Sequence, residues 1–407
     1  MRFDIRIILA ALVAVIALAA GAYELGRRSG VPGPAAPLLE SALKPRAASA
    51  PSAAQPQPGA PPPSAAGQFT HFRVGNKNVK DIFADEGSVW VGFSGGVIRY
   101  DLKTGGHQAF DTTSGLMSNG VFHVSRLGGR IAVGTYGGGM SLFDAATEKW
   151  ENYNIPDGLG DAFVYDILET SWGDVWIATW SGANRVKKGA LRDPAKWELF
   201  TVESTKGGLP NDWVYGLAEG KNGEVWFATE GGLARYKDGQ WSNWTHAQGL
   251  GADYEKVKEA IKFKNDPGQY SSHHAQQKVE QGLEDVTVAY NPNYIVSLLV
   301  DRRDGAVWAG TWGGGLARFD GAAFTSYTTA EGLPSNHIFM LYQDPEGELW
   351  AGTSDGLARM AKGAVKRYTT ENGLFSNNVF SMAVDRNGDV WVGSFGGVAR
   401  LAPSLLQ

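Results

Sequence analysis

A motif that returns seven times constrains this chain more than any other feature of its 407 residues. Its clearest copies read VWVGFSGGVIRYD (89–101), VWFATEGGLARYKDG (225–239), VWAGTWGGGLARFDG (307–321), LWAGTSDGLARM (349–360) and VWVGSFGGVARL (390–401), with weaker ones at 131–144 and 175–186. One column holds Trp90, Ala132, Trp176, Trp226, Trp308, Trp350 and Trp391, at spacings of 42, 44, 50, 82, 42 and 41. Each unit divides into turn-bounded runs rich in β-branched and aromatic residues, such as HIFMLYQD (337–344), the Trp run, the GLAR run and FTSYTT (324–329). Four short antiparallel strands in a unit of about 42 residues predict an all-β fold, a seven-bladed β-propeller. The last unit stops at Leu401 without an outer strand, whereas FTHFRV (69–74) looks like an outer strand without inner ones. The N-terminal strand is therefore predicted to close the last blade and remove the exposed sheet edges.

Before the repeats, the chain changes character twice. Residues 1–30 place Arg2 and Arg6 before an apolar run at 7–23, with Arg27 and Arg28 behind it. The run has the length of a short transmembrane helix or a long signal-peptide core, and both readings export the rest of the chain. Residues 31–67 hold 10 Pro and 11 Ala in 37 positions and form a disordered linker that cannot bury a core. A spacer of this kind suits a retained anchor, so the expected placement is single-pass in a bacterial inner membrane with residues 68–407 in the periplasm. The net charge of −5 argues against a nucleic-acid partner, and the absence of cysteine removes disulfides, Cys-ligated metals and thiol chemistry. No cofactor is implied.

Recurrent residues read as scaffold. The Trp column buries a large ring between neighbouring blades, the DxxG turns at Asp301, Asp344 and Asp385 read as hairpin turns rather than calcium loops, and the third-strand arginines read as tethers. Function is expected where copies differ. The turn between second and third strands and the connection to the next blade share one face. There the variable positions after the second strand include Tyr136, Trp180, Glu230, Trp312 and Phe395, and those after the GLxSN loops include Phe163, Trp213, His337 and Asn378. Tyr136, Trp180, Trp213, Glu230, Trp312, His337 and Phe395 are the candidate ligand-binding residues. Aromatic platforms beside amide and carboxylate groups suit a small-molecule, carbohydrate or peptide ligand.

The long interval after Trp226 carries an insertion at 252–292 on the same face. Tyr254, Val257 and Ile261, then Ala275, Val279 and Leu283, fall at helical spacing and predict a helical hairpin over the mouth, as a lid or a docking surface. His273 and His274 are adjacent on the second helix, which argues against both facing one site or one metal.

The unit GLxSNxVxxxxxDxxGxxWxGTxGGLxRY, best seen at 373–400 and 332–359, resembles the two-component-regulator propeller repeat of periplasmic sensor domains. The resemblance implies a ligand-sensing propeller, often for carbohydrates; since those sensors continue into a kinase, output here is expected through an envelope or signalling partner. An alternative is an interaction scaffold in a cell-envelope complex. The repeat is also similar to streptogramin-lyase-like propellers, metal-dependent enzymes using a His and carboxylates. No His here sits in a recognisable version of that motif, although His123 and Asp166 occupy equivalent inner-strand positions.

Overall fold

The structure, a computed structural model, describes residues 69–361 and 363–403. The apolar segment at 7–23 and the linker at 31–67 lie outside the described residues. Among the described residues no helix is long and apolar enough to cross a membrane.

The strands form antiparallel sheets arranged as successive repeats. Five sheets have four strands each and span Val121–Tyr153, Val164–Phe200, Val214–Trp244, Asn291–Tyr327 and Ile338–Tyr368. The first and last repeats do not form separate blades. They merge into one six-stranded sheet, ordered Val379–Val384, Val390–Leu401, Phe69–Ala84, Ser88–Phe93, Gly96–Asp101 and His107–Phe110. The expectation of seven separate blades is thus corrected to five four-stranded blades and this shared sheet. The physical reason is strand Phe69–Ala84, which pairs through Phe69–Arg73 with Gly397–Leu401 and through Val79–Ala84 with Val89–Phe93. One continuous backbone joins what would otherwise be two sheets, with a register shift between Arg73 and Asn78.

Packing between repeats derives from the motif. A column Trp faces a third-strand Arg directly across the ladder, as in Trp176 with Arg185, Trp226 with Arg235 and Trp350 with Arg359. The guanidinium lies over the indole, 5.1 Å from the ring centre at Trp350 and 5.4 Å at Trp391, where Arg400 takes the same place. Arg359 and Arg400 also pair with a carboxylate of their own repeat, Glu348 and Asp389. Indole nitrogens of Trp350 and Trp391 donate to Asp344 and Asp385 at 2.9 Å, which gives the DxxG aspartates a structural partner. The indoles contribute to cores shared with the next repeat; Trp176, for example, packs with Leu217, Val225 and Phe227.

The inner strands carry a second regularity. Each slips register by one residue at the same place, leaving Lys80, Phe122, Tyr165, Tyr215, Val296, Phe339 and Phe380 without a ladder partner. Such bulges re-aim a side chain. Here they create a belt of rings on the inner strands, with Phe122 on Tyr165 at 4.6 Å, Tyr165 on Tyr215 at 4.9 Å and Phe339 on Phe380 at 5.2 Å. The close approach also explains a glycine of the repeat: a Cβ at Gly352 would fall 2.7 Å from the Val379 carbonyl oxygen of the next repeat.

Candidate ligand-binding face

Backbone bonds tie second-to-third-strand turns of the four-stranded blades to the connecting loops beside them. Tyr136 N–H donates to Gly120 O, Gly182 to Asp212, Glu230 to Trp213, Gly315 to Asn336 and Gly356 to Asn377. In the five four-stranded blades a buried Thr fixes the turn from inside, as Thr229 Oγ1 does by donating to Gly232 O at 2.7 Å. The two loop sets therefore form one rigid face.

The GLxSN amides serve that rigidity. Asn119, Asn336 and Asn377 accept from the backbone N–H of Thr112, Thr329 and Thr370. These three amides act as staples, because they satisfy the free donors of short turns that precede each GL pair. The aromatic positions differ. Tyr136 meets Phe163 edge-on at 4.5 Å, Phe163 stacks on Trp180 at 4.3 Å, and Trp180 stacks on Trp213 at 4.6 Å. Tyr136 remains 51% exposed, so this arc opens to solvent at one end. Phe395 is also half exposed but lies in the shared sheet, opposite Asn78, away from the arc.

At its other end the arc runs under the insertion. Instead of a regular hairpin, the insertion forms a single turn α1 (Tyr254–Val257), 3-10 turns at Lys258–Ala260 and Pro267–Gln269, and helix α2 (Ser272–Glu280). Asp266-Pro267-Gly268 interrupts the helical spacing. The predicted apolar stripe breaks as well: Val257 is buried against Ala252 and Tyr290, whereas Val279 is 59% exposed. Lys278, which the apolar pattern passed over, is buried and holds the segment together through Asp266 at 2.7 Å and the Val286 carbonyl at 2.6 Å.

His273 and His274 do converge on one group, correcting the expectation from helix geometry. Nε2 of His273 and Nδ1 of His274 donate to the two oxygens of Glu230, at 3.0 and 2.5 Å. Adjacent residues on the first turn reach one carboxylate because different ring nitrogens are used. His273 stacks on Trp213 at 3.6 Å, and His274 stacks on Tyr294, which stacks on Trp312. Glu230, Asp266, Gly268, His274, Lys278, Asn291, Tyr294 and Trp312 line a small pocket here. Further round, Phe263 of the insertion packs on Trp312, His337 and Phe339. His337 is fully buried with Nε2 on the Ala289 carbonyl at 2.6 Å, and burial pushes its imidazole down to about 4. Of the predicted residues, the structure therefore brings Tyr136, Trp180 and Trp213 into one arc, places Glu230, Trp312 and His337 under the insertion, and leaves Phe395 apart.

A second polar cluster sits deeper, on the inner strands. His123 Nδ1 lies 3.2 Å from Asp81 and 3.3 Å from Asp166, while its Nε2 is buried without a partner. Burial opposes the charged imidazole, but Asp166 and Asp81 outweigh it and hold the pKa of His123 above its ordinary value. The two aspartates also accept backbone N–H groups of the following repeat, Val124 and Leu217. Each of the three side chains follows the bulged residue of its own inner strand. Among the described residues no group of three or more His, Cys, Asp or Glu side chains has an arrangement able to hold a metal ion.

A ring of four-stranded antiparallel sheets closed by a shared one defines a β-propeller. Four repeats, at 158–181, 208–231, 332–355 and 373–396, match the two component regulator propeller family. The fold is similar to extracellular domains of two B. thetaiotaomicron systems, a putative hybrid two component system (TM-score 0.64, 21% identity, 84% of this chain) and a putative one component system (0.58, 19%, 82%). The chain spans only 42% and 40% of those two domains. It is also similar to virginiamycin B lyase from Staphylococcus aureus (TM-score 0.57, 12% identity, 82% of this chain and 99% of that one). No curated protein sequence matches it.

Proposed function

We propose that this protein is an extracytoplasmic ligand-binding or sensory propeller, tethered to the inner membrane through residues 7–23 and acting through a partner protein. The observation that carries the reading is the contiguous ring series Tyr136, Phe163, Trp180 and Trp213, open to solvent at one end and leading to Glu230 at the other. Rigid aromatic rings on a scaffolded face offer large contact area at little entropic cost, and a carboxylate at the end supplies orientation. Fold likeness to extracellular sensor domains supports an exported, sensory setting. A thermal-shift screen of glycans, peptides and small aromatic compounds on the full chain should yield one stabilising class, and Trp180→Ala should abolish that stabilisation. Full stabilisation retained in Trp180→Ala would refute the site.

The scaffold reading has its own observation. Tyr270 and Val279 of the insertion are 80% and 59% exposed, the kind of apolar surface a protein partner covers. Crosslinking in cells should then capture an envelope protein with wild type and lose it with Tyr270→Ser/Val279→Ser. Unchanged capture would dismiss this reading.

A further inference from the structure

The insertion supplies its own chemical clue to what the face recognises. Two N–H donors, one from each histidine, meet the two oxygens of a single buried carboxylate, and a flat π-system lies against Trp213. An amidinium or guanidinium presents this pattern within one group: paired N–H donors in the plane of a delocalised cation that stacks on indole. Glu230 is positioned for such a role. Its N–H is held by Trp213 O, its turn is pinned by Thr229, and the two histidines are the donors its carboxylate meets among the described residues.

We propose that Trp213 and Glu230 form a recognition site for a planar amidinium- or guanidinium-bearing ligand, and that His273 and His274 occupy it as an internal substitute. The proposal rests on the ligand-binding reading above and names the chemistry at the closed end of the arc. Ligand entry displaces the first turn of α2, so the insertion reports occupancy by moving. Wild-type affinity is lowered by this competition, since only the fraction of molecules with the histidines withdrawn can bind.

The test uses the full chain and calorimetric titration with benzamidinium, with neutral benzamide as its isostere. Benzamidinium should bind wild type, bind about tenfold more tightly to His273→Ala/His274→Ala, and lose at least about tenfold in Glu230→Gln. Should the double variant fail to fold, Ser271→Ala provides a second route: it removes the cap that accepts from His274 N–H, leaves the pocket intact and should tighten binding severalfold. Arginine and an internal Gly-Arg-Gly peptide then separate a free guanidino compound from a peptide side chain as source. Equal binding of benzamidinium and benzamide, or binding insensitive to Glu230→Gln, overturns the proposal. If a neutral ligand still binds in a Trp180-dependent way, the broader reading stands without it; if Trp180→Ala leaves all binding unchanged, the broader reading has failed.

Discussion

At the scale of single residues, the recurrent side chains and the variable ones separate by what they touch. Trp350 is buried, stacks on Tyr368 at 5.6 Å, donates to Asp344 and lies under Arg359. Trp350→Ala should cost about 3–5 kcal/mol in denaturant melts, as truncation of a buried aromatic does. His123 gives a pH signature. Its raised pKa means that its ion-pair contribution is complete below the ordinary histidine value of about 6.5 and is lost as pH rises through the raised folded value. The melting-temperature gap between wild type and His123→Gln should therefore narrow as pH rises above about 6.5; a gap that widens contradicts the cluster. The Trp column, the arginines and the turn aspartates were legible from recurrence alone. The convergence of Asp81, His123 and Asp166 was not, because a one-residue register slip leaves no mark in composition or period.

At the scale of elements, the connecting loops and the insertion carry the differences. GLxSN was visible as a motif, but its Asn could be given a partner only once the preceding turn exposed its N–H groups. The insertion was legible as an interruption of spacing, and its position on the turn face came from which loop it replaces. Its internal build was hidden by Lys278, a charged residue whose burial depends on Asp266 twelve positions away and on two carbonyls. Lys278→Met should leave Asp266 buried without its cation, a costly change in a low-dielectric setting. Hydrogen exchange should rise across 262–288 while the five four-stranded blades keep their protection. Uniform loss of protection would mean that the insertion is part of the global core.

For the whole molecule, closure depends on one long strand shared by two repeats. Phe72 stacks on Trp391 at 5.2 Å, so Phe69–Val74 contributes rings as well as ladder bonds to the closing sheet. Deleting residues 69–74 should lower the melting temperature by several degrees and expose the edge at Gly397–Leu401, seen as association in light scattering. Unchanged stability would show that the closing sheet holds without this strand. The repeat foretold a propeller of four-stranded antiparallel blades and the pairing of 69–74 with the last repeat, but not the number of separate blades. It did not foretell the merged sheet, since separate strands and one continuous strand have the same pattern of residues.

The central claim is that recognition occurs on the turn face, between the aromatic arc and the insertion. Hydrogen–deuterium exchange of the full chain, with and without the stabilising ligand from the screen, tests it most directly. Protection is predicted at 158–165 and 208–215 and altered exchange at 262–282, with no change at the opposite-face turns 301–306, 344–348 and 385–389. Protection confined to those opposite turns, with the arc and insertion unchanged, would contradict the account.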